Sequence, residues 1–130
     1  MKLKSGIKIL EESEGQGTKA EKGDKVVYNM RLYLNKGEEV DLNRNLAENM
    51  PDHLSYMVRT VGDQKFINHH TTLGKRESIA AVEYSLIGMR IGGYRKIKAS
   101  PHMAYGEKGR PGLIPENAVL TIELWLREII

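Results

Sequence analysis

The sequence predicts an α+β domain in which a twisted antiparallel β-sheet wraps around one short α-helix. Residues 26–34 and 118–130 show the two-residue alternation of half-buried strands, and residues 78–88 show the spacing of a helix. The chain lacks the regular strand–helix alternation that builds parallel sheets. Because 130 residues suffice to bury one hydrophobic core, we expect a single domain over residues 1–130.

The first part of the chain predicts a strand, a turn-rich stretch and a hairpin. Residues 7–10 are a short apolar run, and residues 13–23 hold three glycines. In residues 26–34 an apolar side chain recurs at every second position, with Asn29 and Arg31 between. This pattern is typical of a strand with one buried face and one face in water. Turn chemistry at Asn35-Lys36-Gly37 then predicts a hairpin into residues 38–41.

Two segments have helical spacing. Leu54, Met57, Val58 and Val61 recur at i, i+3, i+4 and i+7, and Gly62 follows them. This stripe predicts a short helix over residues 54–61 that ends at the glycine.

The second helical segment, residues 78–88, carries an apolar stripe that includes Ile79, Val82 and Leu86. Ser78 is the expected N-cap, because its hydroxyl is able to accept a hydrogen bond from a free backbone N–H of the first turn. Gly88, or the Gly92-Gly93 pair, is the expected stop. We expect this helix to lie across the sheet.

The last strand, residues 118–130, alternates most clearly. One face carries small and aliphatic residues: Ala118, Leu120, Ile122, Leu124 and Leu126. Trp125 belongs to the opposite face, so we expect the only tryptophan to lie away from any pocket on the core side.

Composition removes several classes of function. The chain has no cysteine, which excludes disulfides, thiol nucleophiles and Cys-ligated zinc. A net charge of +3, with 20 basic residues interleaved among 17 acidic ones, is weak for nucleic-acid binding. The apolar runs fall short of the ~20 residues of a membrane span, and the first residues form no signal-peptide core, so we expect a cytoplasmic protein.

The four histidines do not predict a metal site. His69 and His70 are adjacent, so in an extended segment their side chains point to opposite faces and cannot chelate one ion. His53 and His102 lack the helical partner or carboxylate cluster that zinc sites use. We therefore expect no metal.

A series of motifs along the chain resembles one enzyme family. They occur in the order Gly23-Asp24-Lys25-Val26-Val27-Tyr28, Gly37-Glu38-Glu39-Val40-Asp41, Leu73-Gly74-Lys75, Leu86-Ile87-Gly88-Met89-Arg90-Ile91-Gly92-Gly93 and a closing glycine loop from Tyr105 to Pro115. In order and spacing they resemble peptidyl-prolyl cis-trans isomerases of the FK506-binding-protein (FKBP) type. The resemblance covers nearly the whole chain and implies an FKBP-like sheet around a short helix. Compared with that family the chain has an insertion after Asp41, at about residues 42–70, and this insertion holds the extra short helix that spacing predicts over residues 54–61.

The resemblance implies a set of site residues. Tyr28, Asp41 and Tyr105 match the catalytic positions, with Tyr28 orienting the carboxylate of Asp41 and Tyr105 donating its hydroxyl to a substrate carbonyl. Ile79 matches the residue that offers its backbone N–H, and Leu113 and Ile114 match the apolar pair of the flap loop. Together they imply an apolar hollow between the helix of residues 78–88 and the glycine loop.

Three wall positions depart from the aromatic residues that are usual in the family. They are Val40, Val82 at the floor, and Ile122. At ~1 kcal/mol for each lost aromatic contact, three such changes lower the rate on the order of a hundredfold. Phe66, the only phenylalanine, lies in the insertion and is a candidate substitute for the missing rings.

The resemblance implies an isomerase that acts on X-Pro bonds of peptides or unfolded protein clients, with modest activity and no cofactor. Macrolide inhibitors are expected to bind weakly, and the chain is expected to be monomeric. The alternative is a non-catalytic FKBP-like binding or holdase module that uses the inserted apolar helix for its partners.

Overall fold

The computed structural model describes residues 4–40 and 43–130. Within these ranges the elements follow in the order β1 (Ile7–Ser13), β2 (Lys25–Tyr33), α1 (Asn43–Glu48), β3 (Val58–Val61), β4 (Gln64–Ile67), β5 (His69–Thr72), α2 (Ala80–Leu86), β6 (Tyr94–Ala99) and β7 (Leu120–Ile129). Two 3₁₀ helices, Asp52–Met57 and Pro101–Met103, complete them. Helix α2 packs against β6 and β7, which confirms the predicted α+β fold.

Five of the described strands form one antiparallel sheet in the order β1-β6-β7-β2-β5. Strand β7 lies at its centre and pairs with both β6 and β2. As predicted, Leu120, Ile122, Leu124 and Leu126 are all fully buried on one face of β7, where the main hydrophobic core lies. Strand β1 continues past the predicted residue 10 through a bulge and pairs with β6 as far as Ser13.

Helix α2 begins one residue later than Ser78 suggested. Its N-cap is Ile79, which has extended dihedral angles and makes no side-chain capping bond, so the predicted cap at Ser78 is wrong. The Ser78 hydroxyl lies instead within 3.4 Å of the Thr71 hydroxyl. The predicted stop is confirmed, since Gly88 follows the helix with a φ of 92°.

The predicted helix over residues 54–61 is wrong. A 3₁₀ helix ends at Met57, and Val58–Val61 is strand β3, which pairs with β4 in a two-stranded hairpin. Gly62, with a φ of 62°, belongs to the hairpin turn rather than to a helix stop. The β-branched residues of β3 favour a strand, and their i, i+3 spacing is coincidental. The extra short helix exists, but it is α1.

The segment from Asn43 to Asn68, which we call the cover segment, packs on the sheet face opposite α2. Phe66 and Ile67 are buried there, and the ring centroid of Phe66 lies 5.0 Å from that of Trp125. The guanidinium of Arg31 lies 4.4 Å from the Phe66 centroid. The sheet is therefore covered on both faces in this region.

The cover segment changes the environment of β2. Asn29 was expected in water but is fully buried, and its amide donates to the carbonyl of Ile67 and to Asn68 Oδ1, each at 2.9 Å. Arg31 is buried as well, and its Nη1 lies 3.5 Å from Oε2 of Glu39 in an ion pair. Strand β2 thus has two buried faces, which alternation alone could not reveal.

Phe66 does not replace the missing aromatic residues of the predicted hollow. It contacts Trp125 and Arg31, which alternate in sequence with the core-facing residues of β7 and β2. That expectation is wrong because β4 lies on the outer face of the sheet. The predicted outward orientation of Trp125 is confirmed.

None of the helices in the described residues is long and apolar enough to cross a membrane.

Candidate active site

Four predicted wall residues come from four parts of the fold and meet in one cluster. Tyr28 lies in β2, Val82 in α2 and Ile122 in β7. Val40 follows the turn after β2, where its N–H donates to the carbonyl of Leu32 at 2.8 Å. All four belong to the hydrophobic core, together with Ile114 of the glycine loop. The fold therefore brings these predicted residues together.

The floor of the predicted hollow is closed. Val82 and Ile122 are 1 % and 0 % exposed, and Val40 and Tyr28 are also buried. Aliphatic side chains of this size pack directly against their neighbours, so they fill the space that the sequence suggested as a hollow. The accessible part of the site is its rim, where Ile79 and Tyr105 pack against the core while remaining partly exposed.

Tyr28 is a buried residue of the floor that carries a polar group. Burial raises the pKa of its phenol to about 12, an effect that its hydrogen bond with Ser78 partly offsets. Tyr105 lies close enough to add a smaller upward contribution to the same pKa, so the two predicted tyrosines are neighbours. The expected partner of Tyr28, Asp41, lies outside the described residues.

His69 is a site neighbour that the sequence did not identify. It pairs with Tyr28 across β2 and β5, and the two rings stack with centroids 5.4 Å apart. Its Nε2 is buried and has no hydrogen-bond partner in the part of the chain that is described. Burial lowers the pKa of this imidazole, which favours its neutral form. His70, by contrast, is exposed, which confirms that the two adjacent rings point apart.

The sequence did not identify His69 because it did not predict strand β5, whose pairing with β2 places this residue in the site. Residues 69–72 read His-His-Thr-Thr, which carries no apolar alternation, and so no strand was predicted there. Without that strand, nothing in the sequence placed His69 opposite Tyr28.

Ile79 presents a free backbone donor at the rim. As the N-cap of α2 it accepts hydrogen bonds at its carbonyl from the N–H groups of Val82 and Glu83, at 3.0 and 3.2 Å. No described residue accepts a hydrogen bond from its own N–H. Such a group is available to bind a carbonyl oxygen.

The glycine loop is a folded flap rather than an open connection. Arg110 and Ile114 exchange two backbone hydrogen bonds of 2.8 Å. Gly109 has a φ of 64°, and a side chain there would overlap the carbonyl oxygens of Ile114 and Pro115. The predicted apolar pair is split, because Ile114 is 3 % exposed and Leu113 is 38 % exposed. Leu113 borders a shallow cavity of about 420 Å³.

The described residues contain no group of three His, Asp or Glu side chains placed to hold a metal ion. The donor groups of the site are phenols, an imidazole and a backbone N–H. These groups bind carbonyl oxygens and orient peptides.

Comparison with known proteins connects this geometry to a family. Residues 16–127 match the family model described as FKBP-type peptidyl-prolyl cis-trans isomerase. FK506-binding protein 1A of Neurospora crassa is 29% identical over 119 residues, which cover 91% of this chain and 83% of that protein.

Two longer relatives also match. FK506-binding protein 4 of Chaetomium thermophilum is 32% identical over 129 residues, 99% of this chain and 22% of that protein. The 39 kDa FK506-binding nuclear protein of Drosophila melanogaster is 30% identical over 128 residues, 98% of this chain and 30% of that protein. The chain therefore spans less than a third of these two relatives. Because the family model covers most of its length, the chain belongs to the FKBP-type peptidyl-prolyl cis-trans isomerase family.

Proposed function

We propose that this chain is a peptidyl-prolyl cis-trans isomerase that acts on X-Pro bonds of polypeptides, as a single domain with modest turnover and no cofactor. Family membership supports the reaction. The observation that supports this site is one core cluster that contains Tyr28 and Ile114 of the glycine loop, against which Tyr105 and Ile79, with its free N–H, are packed.

The reaction asks for shape and hydrogen bonds rather than for a nucleophile. Rotation about an X-Pro bond breaks amide resonance against a barrier of about 18–20 kcal/mol, and no covalent bond to the enzyme is needed. An enzyme lowers this barrier by binding the twisted amide more tightly than the planar one. In our proposal the Ile79 N–H holds one substrate carbonyl and the Tyr105 hydroxyl donates to another.

Tyr28 acts in this proposal as a neutral donor. With a pKa of about 12, its phenol keeps its proton at physiological pH. The role of Asp41, implied by the family resemblance, is to accept a hydrogen bond from a tyrosine and to face the substrate. The His69 ring stacks on the Tyr28 ring.

Two features support modest turnover. The aliphatic residues Val40, Val82 and Ile122 replace aromatic walls, and the resulting floor is closed. A proline ring must displace this packing or bind only at the rim, and either event weakens binding of the transition state. We expect macrolide binding to be weak for the same reason. A monomeric state and a cytoplasmic location stay predictions from the sequence.

The decisive test removes the donor of Ile79 without changing the backbone. Ile79 has a φ of −62°, which is the angle that proline requires, and its N–H makes no bond in the described structure. Ile79→Pro therefore deletes the N–H at little cost in folding, and Ile79→Val is the matched control. In a protease-coupled assay on a proline tetrapeptide, we expect Ile79→Pro to lower kcat/KM about tenfold relative to Ile79→Val.

Equal activity in the two variants would remove Ile79 from the site. A Tyr105→Phe variant tests the hydroxyl in the same assay, and its unchanged activity would remove Tyr105 as the donor. If the wild-type protein did not isomerise the peptide faster than the uncatalysed reaction, which takes tens of seconds, the proposed isomerase activity would be rejected.

The closed floor favours a second candidate, a binding or holdase module of the same fold without turnover. The inserted apolar helix first suggested for this role does not exist, but Leu46 and Tyr56 of the cover segment are exposed. The test measures whether the wild-type protein suppresses aggregation of an unfolded client and whether a Leu46→Ser, Tyr56→Ser double variant loses this effect. Both results, together with an absence of isomerase activity, would favour this candidate.

A further inference from the structure

A second cavity lies beside helix α2, outside the closed floor. It encloses about 560 Å³, more than the cavity beneath the flap. Its apolar lining comes from one side of α2, the residue after it and the turn before Tyr105: Ala80, Tyr84, Ile87 and Met103. A cavity of this volume accepts a side chain or a short peptide segment.

The open edge of this cavity is basic. Lys22, Arg76 and His102 line it, and Lys4 Nζ lies 5.3 Å from the ring centroid of the bordering Tyr84. Lys22 lies across the loop at Gly74, and its Cγ would be 2.8 Å from a Cβ at that position. The glycine thus allows the lysine stem to rest against the loop.

Two acidic residues near the opening are held by backbone N–H groups rather than by the basic side chains. Glu83 is the acidic residue in the described lining, but it is buried and its carboxylate accepts the N–H of Gly74 at 3.0 Å. The carboxylate of Glu77 accepts the N–H of Thr72 at 2.7 Å. Lys22 and Arg76 form no ion pair within the described residues, which leaves both side chains available to an acidic partner.

The cavity adjoins the proposed prolyl site. Ser78 lines the cavity and lies close enough to Tyr28 to lower the pKa of its phenol. The next residue, Ile79, carries the free N–H at the rim. A polypeptide advances roughly 3.3 Å per residue when extended, so a chain held at Ile79 needs only a few residues to reach this cavity.

The geometry points to an accessory subsite for an acidic segment of the substrate polypeptide, next to the proline that is isomerised. An apolar side chain of that segment enters between Tyr84 and Met103, and its carboxylates pair with Arg76 and Lys22. The location of the subsite rests on the proposed isomerase function. Its charge and apolar lining are independent of that function.

The test uses labelled peptides that share one Leu-Pro bond and differ only in the flank. In the first pair the flank lies before the proline and reads Glu-Glu-Leu in one peptide and Gln-Gln-Leu in the other. In the second pair the same two flanks lie after the proline. Fluorescence anisotropy with the full chain measures binding, and exchange spectroscopy measures isomerisation. We expect the acidic peptide of at least one pair to bind about threefold to tenfold more tightly at low salt.

Two variants assign this preference to the cavity. Arg76→Glu and Lys22→Glu should each remove most of it, whereas Lys98→Glu, the same charge change at an exposed position of β6, should keep it. Circular dichroism confirms that the variants are folded. Equal binding of acidic and neutral peptides by wild-type protein would overturn the subsite, as would an equal loss in all three variants.

The readouts separate the two proposals. Acid-selective binding that depends on Arg76, in the absence of any isomerisation, would support the subsite and reject the proposed enzyme. Turnover of both peptides at the same kcat/KM and affinity would reject the subsite and keep the enzyme. Binding of anionic lipid vesicles in an Arg76-dependent manner, without any preference among the peptides, would overturn the peptide proposal in favour of a membrane surface.

Discussion

The most informative perturbation is Phe66→Ala, because it separates the cover segment from the site. The ring is 5 % exposed, and it lies 5.0 Å from the Trp125 ring and 4.4 Å from the Arg31 guanidinium. Removing a buried phenylalanine costs about 3–5 kcal/mol of unfolding free energy, which includes the contribution of its cation–π contact. With a urea m-value of about 2 kcal/mol/M, the denaturation midpoint should fall by about 1.5–2.5 M.

Urea unfolding followed by circular dichroism and by Trp125 fluorescence measures this shift. Tyr56→Ala is the matched control, because Tyr56 belongs to the same segment but is 77 % exposed. We expect this control to change the unfolding free energy by less than about 0.5 kcal/mol. If Phe66→Ala does not fold, Phe66→Leu gives a smaller loss in the same direction.

The same variant tests where Phe66 acts. Since the ring lies on the sheet face opposite Tyr28 and Ile122, the folded Phe66→Ala protein should keep its kcat/KM within about threefold. A stability loss below about 1 kcal/mol would refute the anchoring of the cover segment. A drop of more than about tenfold in kcat/KM with little change in stability would place Phe66 in the pocket after all.

Three further predictions concern the site and its flap. Because the pKa of Tyr28 is raised from 10.0 to about 12, its phenol keeps its proton in the folded state where the unfolded state loses it. The unfolding free energy should therefore fall between about pH 10 and 12, and a Tyr28→Phe variant should show a shallower fall, measured by urea unfolding at each pH. An equal slope in both proteins would contradict the burial of this phenol. His69 has a lowered pKa, so the unfolded state takes up a proton first as the pH falls below about 6.5, and stability is lost on acidification. His69→Phe should remove this acid loss in thermal unfolding from pH 7 to pH 5; a variant as acid-sensitive as the wild type would place the proton elsewhere. Gly109→Ala should displace the flap and lower kcat/KM, whereas Gly112→Ala, which also has a positive φ but open space around it, is the control. Equal activity of these two variants would show that flap geometry does not matter for turnover.

The sequence predicted correctly those elements whose structure follows from the local alternation or spacing of apolar residues. In β7 the core face and the outer face differ in polarity, so alternation gave both the strand and the direction of Trp125. Helix α2 was also predicted, because its apolar stripe meets the sheet on one side. Its start was misplaced by the Ser78 hydroxyl, which lies beside the Thr71 hydroxyl instead of capping the helix.

The prediction failed where a contact distant in sequence decides the structure. Val58 and Val61 fit a helical stripe, but their strand forms by pairing with β4, which local spacing does not report. Asn29 and Arg31 looked solvent-exposed because the chain that covers them comes more than thirty residues later.

The candidate site was predicted by family resemblance more than by pattern. The fold brings Tyr28, Val40, Val82 and Ile122 into one cluster, as that resemblance implied. The closed floor was not predicted, because side-chain volumes in a sequence do not show how neighbours pack. His69 was missed for a similar reason, since its role depends on the pairing of β5 with β2.

Strand β2 separates two compartments of the fold, because successive residues of the strand face opposite sides of the sheet. Tyr28 and Leu32 face the core and the proposed prolyl site, whereas Asn29 and Arg31 contact the cover segment. Changes at even positions therefore reshape one compartment and changes at odd positions reshape the other. Protein design can therefore replace the hairpin of β3 and β4 with another module without altering the core side of β2. It can equally introduce aromatic residues on the core side without altering the hairpin.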